Sequence, residues 1–339
     1  MDNLRFTNLL LLIIAIPIVL FGLKMLDFIF VPLVFAMFIT LLFIPGLRKL
    51  KRNGFPKAIR AAIALLVIVI GIFGLYFLLQ LTSQEIFETK EAFADRLLIR
   101  ISELDSFLKD SLGFSPVSNF NYQTELQKDW FINYVKTASL FLVGAIPQIL
   151  TTLFFVVLLL LESFDFEKMM NSTILKKRHA SIKAFNRIEK DIVTFLQVKF
   201  LVSFGTGIGT GLFCYAFDIS FPIFWGLFAF IINFVQMIGS FITIIMCSLF
   251  AFVELELSMK LLYFIMSISG VQVVFGSILE PVFMGKSFSI NIITVLVMLM
   301  FWGFIWGIPG MILSIPLTVF TKVILEQYNR TKPIAQLMQ

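Results

Sequence analysis

An all-α, polytopic helical integral membrane protein is the fold class that the 339-residue sequence predicts. Apolar residues make up 59% of the chain and charged residues 14%, a balance that a soluble core of this length does not bury. Eight uncharged runs cover more than half of the chain, and each comes close to or exceeds the roughly 20 residues that cross a bilayer. The runs are residues 6–23, 28–47, 61–79, 137–161, 200–217, 219–253, 261–279 and 287–321. This composition excludes a soluble enzyme, a disulfide scaffold and a nucleic-acid-binding protein.

Helices are the expected spanning elements of this chain. The runs are too long and too continuously apolar for the strands of an outer-membrane barrel, which alternate over roughly ten residues. Helices satisfy every backbone hydrogen bond within the segment, so they are the remaining way to cross the bilayer. The sequence therefore predicts about eight helical spans in contact with lipid.

Charge between the runs predicts the topology. Residues 46–60 hold six basic residues and no acidic one, which places this loop in the cytoplasm by the positive-inside rule. The N-terminus is then cytoplasmic as well. Residues 82–136 carry nine acidic and six basic residues and fall outside, whereas residues 162–199 carry eight basic and five acidic residues and return inside. The tail, 329–339, is expected in the cytoplasm.

The chain divides into five predicted parts. Residues 1–81 contain the first three spans and the basic loop, and 82–136 form an extracytoplasmic amphipathic insert. The stretch 137–199 contains the fourth span and a cytoplasmic amphipathic segment. A membrane core with two broken helices occupies 200–328, and a cytoplasmic tail, 329–339, follows it.

Apolar residues in the insert recur at helical spacing. The positions are Ile86, Phe93, Leu97, Ile101, Leu104 and Leu108. They form one face of an amphipathic helix, and residues 113–121 are typical of a turn. We expect the insert to lie on the membrane surface or on the other spans, with a contact between copies of the chain as the alternative.

Two uncharged runs, 219–253 and 287–321, are too long for one crossing. A straight 35-residue helix would measure about 52 Å, against a hydrocarbon core of about 30 Å. Each run contains helix-breaking residues, so each is either a broken span or a re-entrant hairpin. Two broken spans and two hairpins both leave the C-terminus in the cytoplasm, so the distribution of charges does not distinguish them. We favour broken spans. Within the bilayer, non-helical backbone is tolerated only where it is buried in protein or lines a water-filled cavity. The two breaks therefore predict where the functional region lies.

The candidate site residues lie at these breaks and between them. At the first break they are Asn233, Gln236 and Gly239. At the second they are Trp302, Gly303, Trp306, Gly307, Pro309, Gly310 and Pro316. Between the breaks, Glu280 ends a 19-residue uncharged run, precedes Pro281 and is expected either to pair with Lys286 or to lie at the interface.

Other polar and small residues receive a structural interpretation. Lys199 and Asp218, at the two ends of the fifth run, are expected at the membrane interface. Four alternating glycines, Gly205, Gly207, Gly209 and Gly211, favour close helix packing over ligand binding.

No catalytic residue, metal site, nucleotide site or cofactor is predicted. Gly285 and Lys286 resemble the end of a phosphate-binding loop, but Glu280 stands where that motif requires glycine. His179 is the one histidine of the sequence, which argues against a metal site or a histidine-based triad.

The sequence from 278 to 326 closely resembles the C-terminal signature of the autoinducer-2 exporter family of bacterial membrane permeases. The matching positions are Glu280-Pro281, Gly285-Lys286, Trp302-Gly303, Trp306-Gly307, Pro309-Gly310 and Pro316. Residues 224–242 resemble a second segment of this family, but Gln236 stands where the family usually has proline and Ser240 where proline is frequent. The resemblance implies a transporter of the bacterial cytoplasmic membrane; members have been linked to autoinducer-2 export and to exchange of sodium or lithium for protons.

Three functions follow as hypotheses. The first is a secondary exporter of a small polar solute, with both breaks forming the site and Glu280 in gating or coupling. The second is a sodium (lithium)/proton antiporter, in which Glu280 exchanges a proton for a monovalent cation. The third is a non-transporting membrane scaffold that acts through residues 82–136, with a homo-oligomer as a partner hypothesis.

Overall fold

The computed structural model describes residues 2–112, 129–161, 179–236, 238–255, 258–284, 290–327 and 331–338. These residues contain helices and no strand, which confirms the all-α fold class. The N-terminal helices are α1 (Asp2–Met25), α2 (Asp27–Arg52), α3 (Lys57–Leu112), α4 (Asp129–Leu161) and α5 (His179–Ala216). The C-terminal helices are α6 (Pro222–Ile232), α7 (Ile238–Leu255), α8 (Met259–Gln272), a π-helix (Val273–Leu279), α9 (Glu280–Met284), α10 (Ile292–Gln327) and α11 (Lys332–Leu337).

Six helical stretches of the described residues are long and apolar enough to cross a membrane. They are Asp27–Arg52, Lys57–Thr82, Lys190–Ala216, Ile238–Leu255, Met259–Met284 and Ile292–Glu326. Shorter apolar helices cover Ile13–Met25, Ile146–Leu161 and Pro222–Ile232. The protein is therefore a polytopic helical membrane protein, and the predicted number of eight spans agrees with these lengths only roughly.

The first half of the insert is an extension of a span. Helix α3 runs without interruption from Lys57 to Leu112, so the third apolar run and the amphipathic helix form one element. The ring of Phe93 stacks on Phe250 of α7 at a centroid distance of 4.7 Å. This part of the insert packs on the membrane helices, one of its two predicted settings. The predicted turn at 113–121 lies outside the described residues.

The chain forms two compact units. One comprises Met1–Val67, Ile146–Gln197 and Met284–Gln339, and the other comprises Ile68–Ala145 and Val198–Phe283. The core of the first unit includes Phe38, Phe195 and Trp306, and that of the second includes Trp225, Phe264 and Ile268. Each unit contains one of the two long uncharged runs.

The run 219–253 is a helical hairpin and not the broken span that we favoured. Helices α6 and α7 are joined through a turn at 233–236, and the arms lie side by side, since Trp225 contacts Phe250 at a ring-centroid distance of 5.0 Å. A Cβ on Gly239 would collide with the carbonyl oxygen of Ile232, so only glycine fits at this fold-back. Helix α6 is about 16 Å long, too short to cross the bilayer. We call α6, the turn and α7 the first hairpin.

The run 287–321 also folds back, within α10. Gly307 has φ 62° and ψ −141°, a conformation that glycine adopts readily, and it divides α10 into two arms. A Cβ on Gly310 would collide with the carbonyl oxygen of Trp302, whereas residues eight apart in a straight helix are separated by about 12 Å. The favoured broken span is therefore wrong here too. We call the two arms of α10 the second hairpin.

The alternating glycines of α5 confirm the packing prediction, and they serve two different neighbours. Gly207 and Gly211 face α6, where a Cβ on Gly211 would lie 3.1 Å from the carbonyl oxygen of Pro222. Gly205 and Gly209 face the π-helix and α8, where a Cβ on Gly209 would lie 3.0 Å from Val271. Helix α5 therefore packs closely against both the first hairpin and the α8 segment.

Candidate functional site

A polar stripe follows one face of α5 in the second unit. Lys199, Ser203, Thr206 and Thr210 are spaced by four, three and four residues, which aligns them along an α-helix. All four side chains are buried, although they belong to a helix long and apolar enough to cross the membrane. Buried polar groups require hydrogen-bond partners, so the partners of this stripe define the candidate site.

Lys199 and Glu280 form a buried ion pair. The Lys199 Nζ atom donates hydrogen bonds to both carboxylate oxygens of Glu280 at 3.0 Å and to Oε1 of Gln236 at 2.9 Å. Lys199 is 3% exposed and Glu280 4%. The carboxylate predicted to pair with Lys286 or to lie at the interface is instead held by a lysine 81 residues earlier. Lys199, which we expected at the membrane interface, is buried inside the protein. Lys286 lies outside the described residues.

The turn of the first hairpin contacts the same stripe. Asn233 Nδ2 donates a hydrogen bond to Ser203 Oγ at 3.0 Å, and both residues are buried. Asn233 and Gln236, both candidates at the first break, therefore face consecutive polar positions of α5. Because α6 ends at Ile232, the turn brings these side-chain amides to the stripe.

Gln272 is a buried amide without a partner among the described residues. It is 3% exposed, and neither Oε1 nor Nε2 has a hydrogen bond there. It is the last residue of α8 and immediately precedes the π-helix that ends before Glu280. Short π-helical segments of this kind occur frequently at functional sites. Thr210 Oγ1 is also buried without a partner in the described part of the chain.

Two carboxylates hold the base of the first hairpin. Glu254 accepts a hydrogen bond from the backbone N–H of Ser220, and Glu85 of α3 accepts one from the N–H of Phe221, each at 2.8 Å. Asp218 and Phe221 have positive φ angles of 60° and 62°, which mark the sharp entry to α6. The insert helix therefore contributes directly to the geometry of the hairpin.

The other candidate residues have varied settings. Gly239 lies at the first fold-back, and Pro281 is exposed next to Glu280. Gly285 lies outside the described residues, as does Lys286. The candidates of the second break all belong to the first unit, where Trp306 Nε1 donates a hydrogen bond to the carbonyl oxygen of Leu23 at 3.0 Å. They form the second hairpin and its turn.

Sequence reasoning missed Lys199, Ser203 and Gln272. The spacing of 199, 203, 206 and 210 was a readable signal, because polar residues at helical period on one face of a membrane helix face protein and not lipid. Gln272 was visible as an amide inside an uncharged run. No group of three or more His, Cys, Asp or Glu side chains within the described ranges is arranged to hold a metal ion.

Comparison with known proteins identifies the family to which this chain is related. Residues 9–330 match the model of the AI-2E family transporter. A Haemophilus influenzae protein named "Putative transport protein" is 26% identical over 341 residues, covering 99% of this chain and 97% of that protein. The AI-2 transport protein TqsA of Escherichia coli K12 is 26% identical over 328 residues, covering 95% and 92%. The match to the family model spans both hairpins and the buried Lys199–Glu280 pair, and the chain belongs to the AI-2E transporter family.

Proposed function

We propose that this protein is a secondary transporter that exports a small polar solute of the autoinducer-2 type across the bacterial cytoplasmic membrane. The observation that carries the proposal is the buried polar stripe of α5, which meets the amides of the first hairpin and the carboxylate of Glu280. The name of TqsA supports the solute class. Family membership supports transport.

The first hairpin and α8 supply the hydrogen-bonding groups for a small solute. A hydroxylated or carbonyl-bearing molecule needs donors and acceptors that replace water, and an amide offers both. Gln272 has both kinds of group buried and unpartnered in the described part of the chain. Satisfying them with a solute would remove the cost of the orphaned amide. Gln272 and Thr210 are therefore our leading solute contacts, and Asn233 and Gln236 are further candidates.

The two hairpins give the proposed transporter its topology. With the basic loop 46–60 and both chain ends in the cytoplasm, residues 82–136 lie outside. Because a hairpin enters and leaves on one side, the first hairpin would open to the outside. Helix-breaking turns at membrane depth are the usual location of solute sites in secondary transporters.

A sodium (lithium)/proton antiporter is the second candidate, supported by the carboxylate of Glu280 inside a helical segment long enough to span. Its ion pair with Lys199 argues for the exporter, because a carboxylate held by a fixed ammonium is not free to exchange a proton for a metal ion. A purely structural scaffold leaves the buried polar stripe without a role.

Reconstitution tests the proposal. The purified protein would be reconstituted into liposomes loaded with autoinducer-2. Sodium, proton and solute gradients would then be imposed one at a time. We expect solute efflux that follows its own gradient or a proton gradient. Sodium-driven proton movement without solute movement would favour the antiporter, and the absence of any flux from folded protein would favour the scaffold.

A further inference from the structure

We propose that the Lys199 ammonium is a covalently tethered substitute for a bound monovalent cation. The carboxylate of Glu280 and the amide oxygen of Gln236 form a cation site, which Lys199 fills permanently. Solute transport would consequently require neither sodium nor lithium. The transport consequence rests on the proposed function, but occupancy of the site does not.

The geometry of the ammonium is that of a saturated site. An ammonium has three N–H donors, and Lys199 Nζ has three oxygen acceptors at 2.9 to 3.0 Å: Gln236 Oε1, Glu280 Oε1 and Glu280 Oε2. All three N–H donors of the Lys199 ammonium are therefore satisfied. A metal cation entering the site would be repelled by the positive charge of this ammonium.

Charge and burial specify the class of cation. Glu280 is one buried carboxylate, so its neutralisation needs one positive charge, and a divalent ion would leave an excess. Oxygen ligands favour hard cations, and the amide oxygen of Gln236 adds a neutral ligand. Removing the lysine side chain would leave these oxygens around a cavity of lysine length that a monovalent alkali cation could enter.

The tether joins three elements that a free ion would join reversibly. Lys199 belongs to α5, Gln236 to the turn of the first hairpin, and Glu280 to the start of α9. The side chain of Lys199 therefore links all three elements through its hydrogen bonds.

Thermal unfolding of detergent-purified protein tests the inference without any transport assay. The parent, Lys199→Ala and Lys199→Ser would be unfolded in sodium, lithium and choline chloride at equal ionic strength. We expect the melting temperature of the parent to be the same in all three salts. Sodium or lithium should raise that of both variants saturably, by about 5 °C at a hundred times the dissociation constant.

Two control variants identify the ligands of the ion. Lys199→Met fills the cavity with an uncharged chain of similar length, so its response should be smaller than that of Lys199→Ala. The double variant Lys199→Ala with Glu280→Gln lacks the carboxylate and should not respond to either cation.

Several results would overturn the inference. They are a sodium- or lithium-specific stabilisation of the parent, no response of Lys199→Ala and Lys199→Ser, failure of both to fold in every salt, or an equal response of the double variant. These outcomes are independent of transport: parent protein that moves no solute would refute the proposed function, while the cation response of the variants would still decide the tethered-cation inference.

Discussion

Gly207 of α5 and Gly226 of α6 meet backbone to backbone: a Cβ on Gly207 would lie 2.8 Å from the carbonyl oxygen of Gly226, and a Cβ on Gly226 would lie 2.9 Å from that of Gly207. In membranes, where the hydrophobic effect does not drive helices together, small residues allow the close approach that stabilises packing. This contact fixes the first arm of the first hairpin against the helix that carries Lys199 and Ser203.

A methyl group at this contact should loosen the hairpin. Gly226→Ala is expected to lower the free energy of unfolding by about 1 to 3 kcal/mol, because the opposing atom is backbone and cannot rotate away. Thermal unfolding in detergent measures the effect. Gly270→Ala is the matched control, since no atom lies within 4 Å of its Cβ position. Equal stability of the two variants would contradict the close packing.

The hairpin topology predicts which side of the membrane Lys260 occupies. Lys260 Nζ lies 3.0 Å from Asp218 Oδ2, so the two ends of the run 219–253 are at the same level. A cysteine at Lys260 should react with a membrane-impermeant maleimide from outside, whereas a broken span would place it inside.

Reference positions calibrate this labelling. Cysteines at Lys109 and Lys51 should react from outside and inside, respectively. The parent is the background control because Cys214 and Cys247 are buried. Cytoplasmic labelling at Lys260 would rule out the first hairpin as an outward-opening element.

The turn of the second hairpin requires glycine. With φ 62° and ψ −141°, Gly307 adopts a conformation that costs an L-residue about 1 to 3 kcal/mol. Gly307→Ala should therefore lower the melting temperature and the rate of solute efflux. Gly71→Ala, within helix α3 with nothing near its Cβ position, should change neither. Unchanged stability and efflux in a Gly307→Ala protein would show that the turn at 307 is not needed.

The Lys199–Glu280 pair should behave as one unit in a double-mutant cycle. Lys199→Met and Glu280→Gln each leave an unpaired buried charge, a change that typically costs about 3 to 5 kcal/mol. The double variant removes both charges, so it should be more stable than the sum of the single effects by about 1 to 3 kcal/mol. Chemical or thermal unfolding measures the cycle, and additive effects would contradict the pair.

The local features of the fold were predictable from the sequence, and the pairings across the chain were not. Uncharged length predicted membrane helices, the breakers in 219–253 and 287–321 predicted interruption, and the glycine spacing of α5 predicted close packing. A hairpin and a broken span have the same charges at their ends, so the choice between them depends on contacts such as Trp225 with Phe250. Such contacts between helices belong to the tertiary structure and cannot be read from the local sequence.

The candidate site shows the same division. Glu280, Asn233 and Gln236 were identified because polar groups at membrane depth are costly. Lys286 was the expected partner because it is near in sequence, whereas Lys199 is 81 residues away and is brought to Glu280 only by the packing of α5. A pattern confined to one helix does not reveal the residue that a second helix places opposite it.

The central claim, that the first hairpin, α5 and α8 bind a small polar solute, is tested most directly at Gln272. Efflux of autoinducer-2 from liposomes would be compared for the parent, Gln272→Leu and Gln148→Leu, the last being a matched glutamine that is exposed on α4. We predict that Gln272→Leu reduces efflux at least about tenfold while its melting temperature is unchanged or higher, because an unpartnered amide is lost and one solute hydrogen bond with it. Gln148→Leu should transport like the parent. Efflux by Gln272→Leu equal to that of the parent would contradict the claim.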